Sequence, residues 1–210
     1  MDKTKIATDI FNKYATEYQN KFMNVDAYGD SLDIFCDAIK KQNSSVLELA
    51  CGPGNITKYL LDKRSDLKIF GIDLAPNMIE LAKQNNPKAE FKVMDCREIN
   101  SLGKTFDAIM CGFCLPYLSK EEAIQLIVDA AKLLNTGGVF YLSTMEDDYS
   151  KSRFKKGSSG EEIFMHYHEA GYLTNTLEEN NFKTLNWRRQ DYPEADGSNT
   201  IDLIIISQKQ

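Results

Sequence analysis

The sequence has 210 residues, and 31 acidic against 25 basic side chains set a formal charge of −6 at neutral pH. A 42% hydrophobic share with 27% charged residues suits one globular domain with a sizeable core. No apolar run reaches the roughly 18 residues of a membrane-spanning helix, and the start, Met1-Asp2-Lys3-Thr4-Lys5, lacks the apolar centre of a signal peptide. An acidic chain without a long Lys/Arg run is a poor partner for nucleic-acid phosphates. Five cysteines, scattered and odd in number, fit a reducing compartment, so the expected location is cytoplasmic.

In chain order, Ile6, Ile10, Tyr14 and Phe22, then Leu32, Phe35, Cys36 and Ile39, recur at helical spacing, with a break over residues 23–30. The period then shortens. Five apolar runs, near 45–50, 67–73, 89–95, 106–111 and 138–143, alternate with helical or turn-rich stretches, the longest helical one spanning 120–134. Strands alternating with helices predict a doubly wound, mostly parallel sheet with helices on both faces. Residues 182–189 and 201–207 are two further strands joined by the turn chemistry of 193–199, with no helix between them. They predict an antiparallel C-terminal hairpin closing a Rossmann-like, seven-stranded sheet. One domain over 1–210 is expected: a helical cap (1–44), a ligand-binding core (45–145), an insertion with the last helix (146–181) and the terminal hairpin (182–210).

In open α/β sheets ligands lie at the carboxyl ends of the strands. Three such ends are informative here: the loop Ala50-Cys51-Gly52-Pro53-Gly54, Asp73 and Asp95. Gly52 and Gly54 let a ligand approach bare backbone at a helix start. Asp73 follows Gly54 by 19 positions (73 − 54), a spacing that suits a carboxylate accepting from a ribose diol. A dinucleotide fingerprint would need glycines where Ala50 and Asn55 stand, and no Gly-Lys-Ser/Thr follows for a phosphate loop. What remains is a nucleoside site. Other uses of these acids stay open: a strand-end salt bridge for Glu48, a helix N-cap for Asp73 and a turn for Asp95.

Val46-Leu47-Glu48-Leu49-Ala50-Cys51-Gly52-Pro53-Gly54 resembles the first motif of class I S-adenosylmethionine-dependent methyltransferases, with Ala50 in place of the first glycine. Gly71-Ile72-Asp73, Val93-Met94-Asp95-Cys96, Phe106-Asp107-Ala108-Ile109 and Leu133-Leu134-Asn135-Thr136-Gly137-Gly138 resemble the following motifs, in the family's order, across residues 45–145. The resemblance implies S-adenosyl-L-methionine as cofactor and S-adenosyl-L-homocysteine as product. It implies that Glu48 meets the methionine end, that Ala50, Gly52 and Gly54 form the cradle, that Asp73 clamps the ribose and that Leu74 covers the adenine. Asp95 and the Cys96 backbone would read the adenine edge, with Met78 and Cys111 lining the same pocket. An N-terminal aromatic, Tyr14 or Tyr18, would close over it; the two lie four apart on one helical face.

Methyl transfer asks mainly for alignment and exclusion of water, with a base only where the acceptor must lose a proton. His166 and His168, the chain's two histidines, follow the lid-like stretch 155–160 and are candidate bases, with Tyr117 a candidate acceptor contact. Helix capping and solvation are the alternatives for the histidines, and Cys111-Gly112-Phe113-Cys114 reads as pocket wall. No metal site is expected. The sequence thus points to a methyltransferase for a small-molecule acceptor, without nucleic-acid or membrane partners, as monomer or homodimer. A non-catalytic binding module or a macromolecule methyltransferase is the alternative.

Overall fold

The computed structural model describes residues 3–157, 160–193 and 199–210. The helices are α1 (Lys3–Lys13), α2 (Ala15–Phe22), α3 (Gly29–Ala38), α4 (Asn55–Lys63), α5 (Pro76–Asn85), α6 (Lys120–Leu133) and α7 (Ala170–Glu179). The strands are β1 (Ser45–Leu49), β2 (Lys68–Asp73), β3 (Glu90–Val93), β4 (Phe106–Cys111), β5 (Leu134–Glu146), β6 (Arg153–Lys156), β7 (Glu162–Met165), β8 (Phe182–Pro193) and β9 (Asn199–Lys209). Seven strands form one sheet in the order β3-β2-β1-β4-β5-β9-β8. The first five are mutually parallel, while β9 runs antiparallel to both β5 and β8. The doubly wound sheet closed by a terminal hairpin is the predicted architecture.

Period-two alternation with both faces apolar explains the central strands. Leu47, Leu49, Ile109, Cys111, Phe140 and Leu142 face a core covered by α6 and α7, through Leu126, Ile127, Leu173 and Leu177. Val46, Ala108, Met110, Val139 and Tyr141 face the opposite core, covered by Leu32 and Phe35 of α3 and Leu60 of α4. α6 starts at a reciprocal capping box: Ser119 Oγ accepts from the Glu122 N–H, and the Glu122 carboxylate accepts from the Ser119 N–H.

Three features depart from the sequence reading. The first helical stretch breaks at Tyr14, whose φ of −109° and ψ of 26° separate α1 from α2. Of the lid-like stretch 155–160, Lys155 and Lys156 end β6, which pairs with β7 in a small antiparallel sheet; Ser158 and Ser159 lie outside the described residues. The fifth strand runs well past 138–143 at both ends, to Leu134–Glu146. Of the expected hairpin turn, 193–199, residues 194–198 lie outside the described residues, as do Met1 and Asp2.

α1 and α2 cross the carboxyl end of the sheet and are tied there by amides. Asn12 Oδ1 accepts from the Asn77 N–H at 2.8 Å, and Asn77 Nδ2 donates to the Asn12 carbonyl at 2.8 Å. Asn85 Nδ2 donates to Gln19 at 2.7 Å, and Asn55 Nδ2 donates to the Phe22 carbonyl at 2.9 Å. The cap therefore rests on both ends of α5 and the start of α4. Those are the elements that frame the glycine loop.

Candidate functional site

The loop after β1 turns through three residues of positive φ: Ala50 (50°), Gly52 (53°) and Gly54 (76°). Gly54 is sterically required. A Cβ there would sit 2.4 Å from Asn86 Nδ2, which donates to the Gly54 carbonyl at 2.9 Å. Ala50 holds its left-handed conformation without that freedom, so the substitution for a family glycine costs strain while keeping the turn.

Glu48 lies beneath this loop at 1% exposure. Thr57 of α4 donates to its Oε2, while Oε1 is buried with no hydrogen-bond partner among the described residues. Burial pushes the Glu48 carboxyl up to about 8, against the bonds from Thr57. The oxygen without a partner is the kind of group a buried donor or cation would satisfy. Asp73, at the β2 tip, accepts from the Gly52 N–H through Oδ2 at 2.9 Å and from the Ala75 N–H through Oδ1 at 2.8 Å. Burial raises its pKa despite those bonds. A carboxylate has about four acceptor directions, so acceptor capacity remains for a ribose hydroxyl. The loop and the acid thus form one unit, with the N-cap alternative for Asp73 partly realised in its bond to Ala75.

The third acid is placed differently. Asp95 caps the turn Cys96–Leu102 by accepting from the Arg97 N–H at 2.8 Å, and its carboxylate is gripped by the Arg97 guanidinium at 2.6 and 2.9 Å. Arg97 also pairs with Glu122 at 2.8 Å. The Asp95 carboxylate is thereby already spoken for, and the turn reading stands beside the adenine-edge one. Arg97 was not singled out by sequence, because its partners lie on β3's exit and on α6.

Of the other expected cofactor contacts, Tyr18 is closest to the loop: its Cε1 lies 3.9 Å from where a Gly52 Cβ would be. Burial, then Asp73, pushes its phenol up to about 12. Met78 is buried below Ala15, Phe11 and Tyr18, and Leu74 is half-buried beside Asp73. Tyr14 and Tyr18 do not share surroundings as the four-residue spacing suggested. The Tyr14 hydroxyl donates to Glu161 at 3.2 Å, because the chain bends at Tyr14 and turns that ring toward β7. Cys111 points into the α6–α7 core at 0% exposure, so strand alternation removes it from the pocket wall. Cys96 and Cys114 meet each other, Sγ to Sγ at 3.4 Å, also within that core.

The candidate bases are held structurally. His168 Nε2 donates to the Leu115 carbonyl at 2.8 Å, which leaves Nδ1 to accept from the Tyr172 hydroxyl. Its ring is fully buried, and burial lowers its pKa to about 4. With both nitrogens engaged it has no free site for a substrate proton. His166 stacks on Tyr149 and meets that hydroxyl through Nδ1 at 3.2 Å; its charged neighbours are Lys3, Glu122 and Glu121. β7 ends at Met165, so both histidines lie beyond that strand. Tyr117 packs edge-on against Phe11 at 5.1 Å, and Asp73 and Tyr18 are near enough to help burial raise its phenol. A cleft of about 510 Å³, lined by Glu146, Arg153, Lys155, Arg189 and Thr200 among others, lies past the β5 tip and away from the glycine loop. No group of three or more metal-binding side chains occurs among the described residues.

One pair was invisible in the sequence: Tyr28, from the turn before α3, donates to the buried Asp202 Oδ2 at 2.7 Å. The available signal was a lone charge interrupting the apolar run of β9.

The sheet order agrees with comparisons to known proteins. A family model described as a methyltransferase domain matches residues 46–138. A malonyl-[acyl-carrier protein] O-methyltransferase of Acetivibrio thermocellus is 34% identical over 147 residues, covering 63% of this chain and 52% of that one. A tRNA N(3)-methylcytidine methyltransferase of Schizosaccharomyces pombe is 30% identical over 131 residues, covering 56% of this chain and 42% of that one. The chain therefore spans about half the length, or less, of these relatives. Among solved structures, magnesium protoporphyrin IX methyltransferase of Synechocystis PCC 6803 with bound S-adenosylmethionine superposes with a TM-score of 0.73 at 16% identity, covering 100% of this chain and 98% of that one. Residues 46–138 thus resemble a methyltransferase domain, and the fold is that of S-adenosylmethionine-dependent methyltransferases. The chain's particular relatives differ in what their names say they methylate.

Proposed function

We propose that the protein transfers a methyl group from S-adenosylmethionine to a small-molecule acceptor. The observation that carries the cofactor reading is the unit of Glu48, the Ala50–Gly54 turn and Asp73, with a buried carboxyl oxygen at its base that lacks a partner among the described residues. These residues fit the group. When bound, S-adenosylmethionine supplies an electrophilic methyl on a sulfonium that is already a good leaving group.

The rest is alignment by this chain. Glu48 offers its free oxygen to an ammonium, and Asp73 has acceptor capacity for the ribose hydroxyls while it fixes the Gly52 N–H. The turn presents bare backbone, and α1 and α2 keep water from the strand tips. Leu74 and Met78 supply apolar cover, and Arg97 sets the Asp95 carboxylate at the exit of β3. The histidines are not needed, since transfer to a neutral nucleophile requires no buried base. A small-molecule acceptor is supported by the net negative charge, which disfavours a nucleic-acid acceptor.

Incubating the protein with methyl-labelled S-adenosylmethionine and fractionated cell extract tests this. Label is expected in the small-molecule fraction; label found only in the protein or RNA fraction would assign the acceptor to a macromolecule.

A further inference from the structure

β8 lies at the end of the sheet order, with β9 on one edge and no other strand on its outer edge among the described residues. An open edge presents a row of backbone N–H and C=O groups that a further strand can pair. This edge is bounded at both ends. The register with β9 slips between Thr184 and Asn186, and the last residue is Pro193, which has no N–H to give. Between them, residues 186–193 pair with β9 one for one. Trp187 is 48% exposed there, and Arg189 and Asp191, on the same face by strand alternation, are exposed as well.

The segment is complementary to itself. Facing side chains of an antiparallel pair share a face, so a twofold axis normal to the sheet must pass through a residue. Two centres pair seven of the eight regular residues. Centring on Arg189 sets its guanidinium against its own copy. Centring on Gln190 sets Trp187 opposite Pro193, Arg188 opposite Tyr192 and Arg189 opposite Asp191, each twice, while the uncharged Gln190 faces itself. Both arginines already have partners within the chain. Arg188 donates to Gln190 at 2.8 Å and stands 3.6 Å from Asp30. Arg189 gives Nε and one Nη2 proton to Glu146, which leaves Nη1 for a second carboxylate. Arg188 keeps its guanidinium face for an aromatic ring.

We propose that two copies of the chain pair through β8, antiparallel and centred on Gln190, as an isologous dimer. The two sheets then run on as one. The glycine loop stands four strand spacings from the seam, roughly 19 Å, so the pairing does not depend on what occupies that loop. A seam of seven residue pairs is small beside the roughly 800 Å² per partner of a standard interface, so dissociation in the micromolar range is expected.

Sedimentation velocity of the full chain from low to high micromolar concentration tests this, together with emission from Trp187, the chain's single tryptophan. Monomer at the lowest concentration and dimer at the highest are expected, with emission shifting to the blue over the same range as Trp187 meets Pro193 of the second copy. Asp191→Arg places an arginine opposite Arg189 on both sides of the centre and is expected to weaken dimerisation at least tenfold. Asp9→Arg, the same change of charge on α1, is expected to leave it within about threefold. A chain that stays monomeric throughout, or that dimerises with constant Trp187 emission, would overturn the seam. So would equal weakening by the two variants, or an Asp191→Arg dimer as tight as the native one. Should Asp191→Arg not fold, the Trp187 emission of the native chain decides.

Discussion

Glu48 is a carboxyl group held almost wholly out of water, bonded by Thr57 at one oxygen and without a partner among the described residues at the other. Folding moves it from its ordinary 4.5 to about 8, chiefly by burial. Between those values the folded chain keeps a proton that the unfolded chain releases, so this residue lowers stability as pH rises through the window. Glu48→Gln is expected to remove that slope in denaturant titrations at pH 5 and pH 8. An ammonium brought beside Oε1 favours the charged form, so binding S-adenosylhomocysteine at pH 7 is expected to release close to one proton. Calorimetry in buffers of different ionisation enthalpy reads that number directly; Glu48→Gln should release none and bind at least tenfold more weakly. No proton release from the native chain would place the ammonium elsewhere.

His168 has the opposite sign. Its pKa falls from 6.5 to about 4, mainly by burial, so the unfolded chain takes up a proton that the folded chain refuses. The stability it contributes is present above about 6.5 and is lost as pH falls toward 4. His168→Ala leaves the Leu115 carbonyl and Tyr172 hydroxyl unpaired and is expected to cost about 1–3 kcal/mol. S-adenosylhomocysteine affinity should not change, and neither should the pH profile of any methyl transfer. A variant of native stability with a displaced pH profile would return His168 to catalysis.

Among the elements, the central strands and the glycine loop were legible because their signals are local. Alternating apolar residues specify β1 and β4, and Gly54 announces a turn before α4. Its φ of 76° and the 2.4 Å approach to Asn86 explain why. Gly54→Ala forces both a left-handed alanine, worth about 1–2 kcal/mol, and displacement of the Asn86 amide. The expected result is lower thermal stability together with at least tenfold weaker S-adenosylhomocysteine binding; native values for both would mean that the loop tolerates a side chain. What could not be read were long-range pairings. Tyr28 and Asp202 are 174 positions apart, and Arg97 reaches Glu122 across 25. The bend at Tyr14 also defeated helical spacing, because a two-helix cap and a single helix have the same apolar period. The short strands β6 and β7 lacked the alternation that would have distinguished them from a loop.

At the level of the whole molecule, the sheet brings the tips of β1 and β2 together, and α1 and α2 close over them. Tyr18 lies against Gly52, while Asn12 and Gln19 hold both ends of α5. The cofactor reading rests on the parallel half of the sheet, which carries the motifs of residues 45–145. Isothermal titration of the native chain and Asp73→Ala with S-adenosylhomocysteine tests it most directly. One saturable site per chain, weakened at least tenfold by the substitution while the fold persists, is the predicted result. Absence of binding to the native chain, or equal affinity in both, would contradict it.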